Sequence, residues 1–439
     1  MGRLAGILGA LVVAGILAVV LWPHGGDHGR ADFFADESYN FETLRVFDDI
    51  AVAGGDISDV LTTVGSIRAG SADDWYRAWT TAGERAAELA SRTRDARSKG
   101  TALLRAHTYY RTAEFFLSPT DPRRAASFKS NVAAFYEGLQ ALRVSYERIA
   151  VPYGKYHLNA VYYPGPAGSE ARPLLVVVGG YDSTMEELYL LIGYAAVQHG
   201  YSVLTYEGPG QGSVLRQQDL HMQADWEKPN SAVLDQFLST HPKPSKIVLL
   251  GASLGAYLAA RAAAFDPRVD GVVAYDAWFD GYAIATRNIP PPALWLHANG
   301  YDHMLNSLAR RTSVPGAKWS QENGMWVFGV SEPTQVLDAF KAYTVAPVAD
   351  RITQDVLLLA GTADLFIPVN QLDQERDALS RAHSVTTTVF DRDSGGSLHC
   401  QIGAPSLWQG VLFDWLTVKF PNDGLGFPGP TKNSSGSIL

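Results

Sequence analysis

The sequence contains a single cysteine, Cys400, among 439 residues. An intramolecular disulfide is therefore impossible, and no zinc or iron–sulfur site can be built from cysteines alone. The metalloprotease pattern HExxH and the P-loop pattern GxxxxGK[ST] are also missing. The net charge is −9 and there is no long basic run, which argues against nucleic acid as a partner. No metal or cofactor is expected, so any chemistry must come from ordinary side chains.

The N-terminus is the one long hydrophobic stretch. Residues 4–22 carry no charge and would span about 28 Å as a helix, close to the thickness of a bilayer's hydrocarbon core. The run ends at Trp22 without a convincing A-x-A cleavage site. We therefore predict an uncleaved single-pass anchor; the alternative is a cleaved signal peptide of a secreted protein. With Arg3 before the span, the body is expected to face the lumen of an endomembrane.

The hydrophobic pattern and composition divide the chain into four parts. Residues 1–30 are predicted to form an anchor and linker, 31–143 a helical cap region, 144–420 an α/β core and 421–439 a flexible tail. A stretch rich in Trp and Pro interrupts the core at about 281–350. We predict that this stretch is an insertion between two strands and part of a lid over the site.

The helical region is predicted to hold three long helices. Ser71 caps the first, which Gly100 ends, and the second runs from about Thr101 to Phe116. The pair Asp121 and Pro122 starts the third, since a capping residue followed by proline suits the first turn of a helix. The aromatic residues on these helices fit a hydrophobic core, and some of them also fit the roof of a pocket.

From Val144 onward the pattern is that of a sheet. Two alternating stretches predict an antiparallel hairpin, and six unbroken apolar runs, each followed by a helix-like segment, predict parallel strands covered on both faces. The fold class is therefore α/β, with a mostly parallel, doubly wound sheet. The predicted hairpin strands are 145–151 and 156–162, and the predicted parallel strands are 174–178, 202–206, 246–250, 269–274, 355–359 and 386–390.

A candidate nucleophile follows the third of these parallel strands. The strand leads into Gly251-Ala252-Ser253-Leu254-Gly255 and then into an alanine-rich helix. GxSxG alone is a weak signal, but between a buried strand and a helix it is typical of a tight turn on which the serine hydroxyl projects freely. The start of the helix also places the N–H of Leu254 where an oxyanion would form.

A serine nucleophile needs a base and an orienting acid, which in such folds follow later strands in the order Ser, Asp, His. Asp364 follows the penultimate strand and His399 follows the last one. We therefore predict Ser253 as nucleophile, Asp364 as acid and His399 as base. Asp276 and Asp280, after the preceding strand, are rivals for the acid, although Asp276 could instead cap a helix or line the pocket.

The second donor of an oxyanion hole is expected in the loop after the first parallel strand. The N–H of Tyr181 is the candidate, with Gly180 next, because the glycines there allow close approach to a substrate carbonyl. A glycine-rich loop after the second parallel strand lacks the GxGxxG spacing and is predicted to lie beside the site without binding a nucleotide. Glu207 at its start could hydrogen-bond into the pocket but is not expected to be catalytic.

These motifs resemble one branch of the α/β-hydrolases, which includes fungal hydrolases of polyketide and cytochalasan-type pathways and the bacterial dihydroxypseudooxynicotine hydrolase. The resemblance covers about residues 35–418 and implies the α/β-hydrolase fold with Ser253, Asp364 and His399 as its triad. The hydrophobic N-terminus and the long gap between Ser253 and Asp364 depart from the branch, and the gap suggests an enlarged lid. The motifs that carry the resemblance are Gly251-Ala252-Ser253-Leu254-Gly255, Tyr206-Glu207-Gly208-Pro209-Gly210-Gln211-Gly212, Gly180-Tyr181-Asp182 with Glu186-Glu187, and His399-Cys400-Gln401.

The resemblance implies hydrolysis of a carbon–carbon bond next to a ketone, in a 1,3-dicarbonyl or acyl-aromatic secondary metabolite. An ester or lactone hydrolase uses the same triad, and so does an acyltransferase or cyclase that excludes water from the acyl-enzyme. A binding protein that has lost turnover is a fourth hypothesis, which the presence of all three triad residues disfavours. The expected partner is an apolar small molecule.

Overall fold

The computed structural model describes residues 33–421. Eight strands form one sheet in the order β1-β2-β4-β3-β5-β6-β7-β8. The hairpin β1–β2 and the pair β2–β4 are antiparallel, and all other neighbours are parallel, as the unbroken apolar runs predict. The strands are β1 (Glu147–Tyr153), β2 (Tyr156–Tyr163), β3 (Leu174–Val178), β4 (Ser202–Glu207), β5 (Ile247–Ala252), β6 (Gly271–Tyr275), β7 (Asp355–Gly361) and β8 (Ser384–Phe390).

The central strands are buried on both faces because their side chains alternate between two apolar layers. In β3, for example, Val176 packs in the layer that holds Trp226, whereas Val177 packs in the layer that holds Trp408. The helices that follow the strands supply both layers. They are α6 (Met185–Leu188), α7 (Tyr194–Gln198), α8 (Gly212–Gln218), α9 (Glu227–Thr240), α10 (Leu254–Ala263), α16 (Asn370–Ala378) and α17 (Pro405–Lys419).

The position of β3 between β4 and β5 sets where a ligand can bind. The chain leaves β3 toward β4 on one side and later enters β5 on the other side. The loops after β3 and β5 therefore part at the carboxyl edge of the sheet, which is where open α/β sheets bind their ligands. The predicted nucleophile loop and the predicted oxyanion loop are these two loops.

The helical region before the sheet contains α1 (Glu37–Asp49), α2 (Ile57–Val64), α3 (Ala72–Arg92), α4 (Ala96–Ala113) and α5 (Pro122–Leu142). Ser71 caps α3 through the Asp74 N–H at 3.1 Å, and Asp121 caps α5 with Pro122 in its first turn, both as predicted. Trp75 and Trp79 are fully buried in the core of this region.

The prediction that Gly100 ends a helix is wrong. The helix α3 ends at Arg92, Asp95 caps α4, and Gly100 lies inside α4. A Cβ on Gly100 would lie 2.5 Å from Cγ of Leu142, so the residue is small because α4 and α5 pack closely there. The predicted second helix, from Thr101 to Phe116, accordingly begins and ends a few residues earlier.

The stretch between β6 and β7 is helical, and its helices lie over the carboxyl edge of the sheet around one cavity. These helices, which we call the lid, are α11 (Gly281–Thr286), α12 (Pro291–Ala298), α13 (Asp302–Ala309), α14 (Pro315–Phe328) and α15 (Pro333–Phe340). Prolines begin three of them, at the first-turn positions where a missing N–H costs little. The division of the chain into domains stays a prediction.

The predictions of a transmembrane protein, a membrane partner and a lumenal body at an endomembrane are contradicted. Within residues 33–421 no helix is long and apolar enough to cross a membrane. The helices α3 and α5 have 21 residues each, but both carry charges along their length and turn only one face to the interior. The segment 4–22, on which the predicted anchor falls, lies outside the described residues. We withdraw these predictions.

Candidate active site

Ser253 lies in a strained turn between β5 and α10. Its backbone has φ 58° and ψ −126°, a conformation that costs a non-glycine residue on the order of 1–3 kcal/mol. The surrounding backbone holds it there: the Ser253 N–H donates to the Tyr275 carbonyl at 2.5 Å, and a Cβ on Gly255 would lie 2.6 Å from the Val178 carbonyl. The glycine is thus required by close packing of α10 against β3, and the turn presents Ser253 to the cavity.

His399 and Asp364 are brought together at the ends of the last two strands. His399 Nδ1 lies 2.7 Å from Asp364 Oδ2, and Asp364 Oδ1 accepts the N–H groups of Phe366 and Ile367 at 2.6 and 2.8 Å. Burial opposes ionisation of Asp364, but the charge and hydrogen bond of His399 outweigh it and hold the pKa of Asp364 below its usual value. Burial also opposes the charged imidazole, yet the neighbouring carboxylate holds the pKa of His399 well above its usual value.

The two rival acids have other partners. Asp280 caps α11 by accepting the Ala283 N–H at 3.1 Å. Asp276 is fully buried; its two oxygens accept the Cys400 N–H at 2.9 Å and the Gln401 side-chain amide at 2.8 Å, and Oδ2 lies 3.7 Å from His399 Nδ1. Burial, followed by the nearby charge of Asp364, raises the pKa of Asp276 to about 8. Asp276 therefore holds the loop that carries the histidine.

The loop after β3 lies against the turn that carries Ser253. The Gly180 N–H already donates to the Ser183 hydroxyl at 3.2 Å, which favours Tyr181 as the second oxyanion donor beside Leu254. A Cβ on Gly180 would lie 3.0 Å from both Leu254 N and Ser253 Cβ. The Tyr181 carbonyl accepts a side-chain N–H of Asn323 in α14 at 3.2 Å, so this loop is also tied to the lid.

Replacing Gly180 with alanine is expected to lower kcat by at least about 100-fold, because the new methyl group crowds the Leu254 N–H that would stabilise an oxyanion. The measurement is kcat together with thermal unfolding. Gly410→Ala is the matched control, since Gly410 is exposed in α17 with no atom within 4 Å of a new Cβ. Equal kcat for the wild type and Gly180→Ala would contradict the placement of the oxyanion hole.

The Glu207 side chain holds two helix starts together. Its carboxylate accepts the N–H of Met185 at 3.2 Å and the N–H and hydroxyl of Ser213 at 2.9 and 2.5 Å. These bonds join the starts of two helices, and neither Glu207 nor Asp276 is among the residues that line the cavity. In the same loop, the Gln211 amide donates to the carbonyls of Gly179 and Gly180 at 2.6 and 3.2 Å, which holds the predicted oxyanion loop in place.

A cavity of about 1140 Å³ opens in front of Ser253 and His399. Three parts of the chain build its wall: the helical region, the loops at the edge of the sheet, and the lid. The wall is mainly apolar and aromatic, as suits a bulky apolar ligand. The aromatic residues that line it include Phe41, Phe115, Tyr181, Trp278, Trp319, Phe340, Phe366 and Trp408.

One side of this wall carries a partly buried ion-pair cluster, which we call the arginine cluster. Arg45 of α1 lies 2.9 Å from both Glu42 and Asp182 and also pairs with Glu187. Arg111 of α4 lies 3.0 Å from Glu42 and 2.8 Å from Glu187. Burial raises the pKa of Asp182, but the two arginines outweigh this and hold it below its usual value. The cluster joins the helical region to the segment after β3, directly following Tyr181, whose N–H is the predicted oxyanion donor.

Sequence reasoning missed the arginine cluster and the contact made by Cys400. Asp182 and Glu187 stood in the quoted motifs, but the arginines lie in amphipathic helices with no pattern that marks them. Cys400 adopts φ 49° and places its sulfur 3.6 Å from His399 Nε2. Among the described residues, the Ser253 hydroxyl has no hydrogen-bond partner.

With this fold and site in place, comparison with known proteins identifies the class. A model described as "Alpha/beta hydrolase family" matches residues 174–400, more than half of the chain, and the chain belongs to that family. It is a hydrolase with an α/β-hydrolase fold, which confirms the fold class and the family resemblance.

Two curated fungal hydrolases are similar over nearly their whole length. Hydrolase acrC of Aspergillus aculeatus is 32% identical over 420 residues, covering 88% of this chain and 98% of the relative. The 20-hydroxy-prefusarin hydrolase FUS2 of Gibberella moniliformis is 32% identical over 414 residues, covering 88% and 97%. The crystal structure of 2,6-dihydroxy-pseudo-oxynicotine hydrolase superposes with a TM-score of 0.67 at 21% identity, covering 86% of this chain and 95% of that one, and shows a shared fold.

Proposed function

We propose that this protein is a serine-triad hydrolase that cleaves a carbon–carbon bond next to a ketone in a bulky, apolar secondary metabolite. One observation carries the proposal: Ser253 on its strained turn and His399, which pairs with Asp364 at 2.7 Å, face one large, mainly apolar cavity. In the proposed roles Ser253 is the nucleophile, His399 the base and later the acid, and Asp364 the group that orients and charges the histidine.

In the first step, Ser253 Oγ bonds to the ketone carbon and His399 Nε2 takes the serine proton. The carbonyl oxygen becomes an oxyanion, which the N–H groups of Leu254 and Tyr181 stabilise by hydrogen bonds. The Asp364 carboxylate stabilises the resulting imidazolium through Nδ1.

In the second step, the tetrahedral intermediate collapses and the bond to the neighbouring carbon breaks. The electron pair leaves on that carbon as an enolate if a second carbonyl is attached to it, which is why a 1,3-dicarbonyl is the natural substrate class. His399 gives its proton to the enolate, and Ser253 retains the acyl group. Water, activated by His399, then releases the acid and restores the serine.

The substrate class is supported by the shape of the cavity and by the relatives. A cavity of about 1140 Å³ is at the upper end of the sizes usual for small-molecule sites, and aromatic residues from all three parts of the wall line it. One curated relative is named for 20-hydroxy-prefusarin, and the other similar proteins include several named simply as fungal hydrolases.

The test offers the purified full chain a 1,3-diketone and an ester with the same acyl group, and identifies the products by mass spectrometry. Ser253→Ala serves as the blank. Cleavage of the diketone at a kcat/KM above that of the ester is the expected result. Turnover of the ester with an intact diketone would contradict carbon–carbon cleavage and favour an ester or lactone hydrolase, which needs the same triad.

A second experiment asks whether the acyl group is transferred to water or to another acceptor. The lid covers the site, so an acceptor other than water could take the acyl group if water is excluded. Running the reaction in ¹⁸O-labelled water decides this: one labelled oxygen in the acid product is expected for hydrolysis. An unlabelled, cyclised or transferred product would favour an acyltransferase or cyclase and contradict the proposal.

A further inference from the structure

We propose that Cys400 and His399 form a binding site for a thiophilic divalent cation such as Zn²⁺ in the wall of the cavity. The Cys400 sulfur lies 3.6 Å from His399 Nε2, and both residues line the cavity. With a carboxylate oxygen of Asp276, the donor atoms of three residues lie within 4.8 Å of one another. Thiolate and imidazole are the ligands that zinc prefers in proteins.

The distance between the two donor atoms is the one that a tetrahedral zinc ion requires. Zinc binds thiolate sulfur at about 2.3 Å and imidazole nitrogen at about 2.0–2.1 Å, so a tetrahedral angle separates the two atoms by roughly 3.6 Å. The observed 3.6 Å equals this separation. The positive φ of Cys400, 49°, holds its backbone in the turn from which the sulfur meets Nε2 and not Nδ1.

The third residue, Asp276, is buried beneath the other two, with one carboxylate oxygen within 4.8 Å of the Cys400 sulfur. Its Oδ2 is 3.7 Å from Nδ1, and both its oxygens already accept hydrogen bonds from residues 400 and 401. It therefore holds the two ligands in position. Both ligands line the cavity, so solvent can reach a cation bound between them. Such an open site suits reversible binding better than a permanent structural metal.

Binding exchanges protons for the metal. The Cys400 thiol loses its proton to solvent and forms a bond to the cation. Where His399 is protonated, its Nε2 proton also goes to solvent, and the freed lone pair binds the cation. That lone pair is the one which accepts the serine proton in the proposed reaction, so a bound cation would stop hydrolysis. The inhibitory consequence rests on the proposed function, whereas the site itself does not.

The binding test uses Co²⁺ as a spectroscopic substitute for Zn²⁺ on the full chain. Because Cys400 is the only cysteine, a thiolate-to-cobalt charge-transfer band in the near ultraviolet reports this residue alone. We expect the band to saturate at one cobalt per chain and to disappear when Zn²⁺ displaces it. A wild-type protein without the band overturns the site, whatever its activity.

Two variants locate the second ligand. His399→Ala is expected to raise the Co²⁺ concentration that half-saturates the band at least tenfold. His297→Ala is the control and should leave this concentration unchanged. The His297 side chain is also buried in the cavity wall, but it pairs with Asp302 at 2.7 Å. Equal effects of the two variants would overturn the Cys400–His399 assignment. Circular dichroism of each variant checks the fold.

The inhibition test measures the fraction of activity that remains at each Zn²⁺ concentration, with reversal by a chelator. Cys400→Ser is expected to raise the half-inhibitory concentration at least tenfold relative to the wild type. A cobalt band without inhibition by zinc would leave the site standing and contradict the role of His399 as base. The failure of the site and the failure of the proposed function are thus told apart.

Discussion

Replacing Ser253 with alanine is expected to lower kcat by about 10⁵–10⁶-fold, to the residual rate that binding and the oxyanion hole alone provide. The reason is that the proposed covalent step has no other nucleophile: the alanine methyl group cannot bond to the substrate carbonyl. The free energy of unfolding should change by less than about 0.5 kcal/mol, because the Ser253 hydroxyl has no hydrogen-bond partner among residues 33–421. The measurements are kcat on the cleaved substrate and chemical unfolding.

Ser406→Ala is the matched control for this experiment. Ser406 is another serine in the wall of the same cavity, and its loss removes one hydroxyl from the wall without touching the proposed triad. Its kcat should stay within about threefold of the wild type. A Ser253→Ala variant that turns over substrate at the rate of Ser406→Ala would show that the nucleophile lies elsewhere.

Replacing Asp364 with asparagine is expected to lower kcat by about 10⁴-fold, since asparagine neither charges the histidine nor holds it in the required tautomer. Asp276→Asn separates the two nearby carboxylates. We expect it to have a much smaller effect on kcat and a larger one on stability, because it loosens the bonds from the fully buried Asp276 to residues 400 and 401. A larger loss of kcat in Asp276→Asn than in Asp364→Asn would reverse the assignment of the acid.

The pH profile gives a second readout for the same pair. Asp364 holds the pKa of His399 well above its usual value, and only the neutral imidazole can accept the serine proton. In the wild type, kcat/KM should therefore fall as the pH drops through this raised pKa. Removing the carboxylate charge lowers the pKa of His399, so the acid limb of Asp364→Asn should move to lower pH. An unmoved limb would mean that another group controls it.

The sheet was predictable because burial on both faces leaves a plain pattern in the sequence. The predicted parallel strand 174–178 has its observed bounds, and the other predicted strands differ from the structure by one or two residues at one or both ends. Helix ends were harder. The sequence predicts a helix end at Gly100 because glycine often ends helices, but the residue lets α4 approach α5, which only the packed pair can show.

The candidate site was predictable to the extent that it follows strand ends. In the sequence, Ser253, Asp364 and His399 follow three different strands, and the structure brings them together at one edge of the cavity. Their catalytic roles stay predictions. The partners of Arg45 were not predictable, since Asp182 and Glu187 lie more than 130 residues away in sequence. No local pattern encodes such pairs. Likewise, the hydrogen bonds from residues 400 and 401 to Asp276 were not predictable, because they depend on the path of the chain between β6 and β8.

The arginine cluster makes it difficult to replace the helical region of this chain with that of a relative. Its cations come from α1 and α4, and its anions Asp182 and Glu187 come from the loop after β3, beside the proposed oxyanion donor. A helical region borrowed from a relative would have to bring both cations at matching positions, or leave partly buried carboxylates without their cations beside the proposed site. The lid contacts the same loops in another way: its residues reach Tyr181 through hydrogen bonds and ring contacts, and Arg287, directly after α11, donates to the Asp364 carbonyl at 3.2 Å. Evolution of new substrates in this architecture is therefore expected to be strongly constrained at α1 and α4.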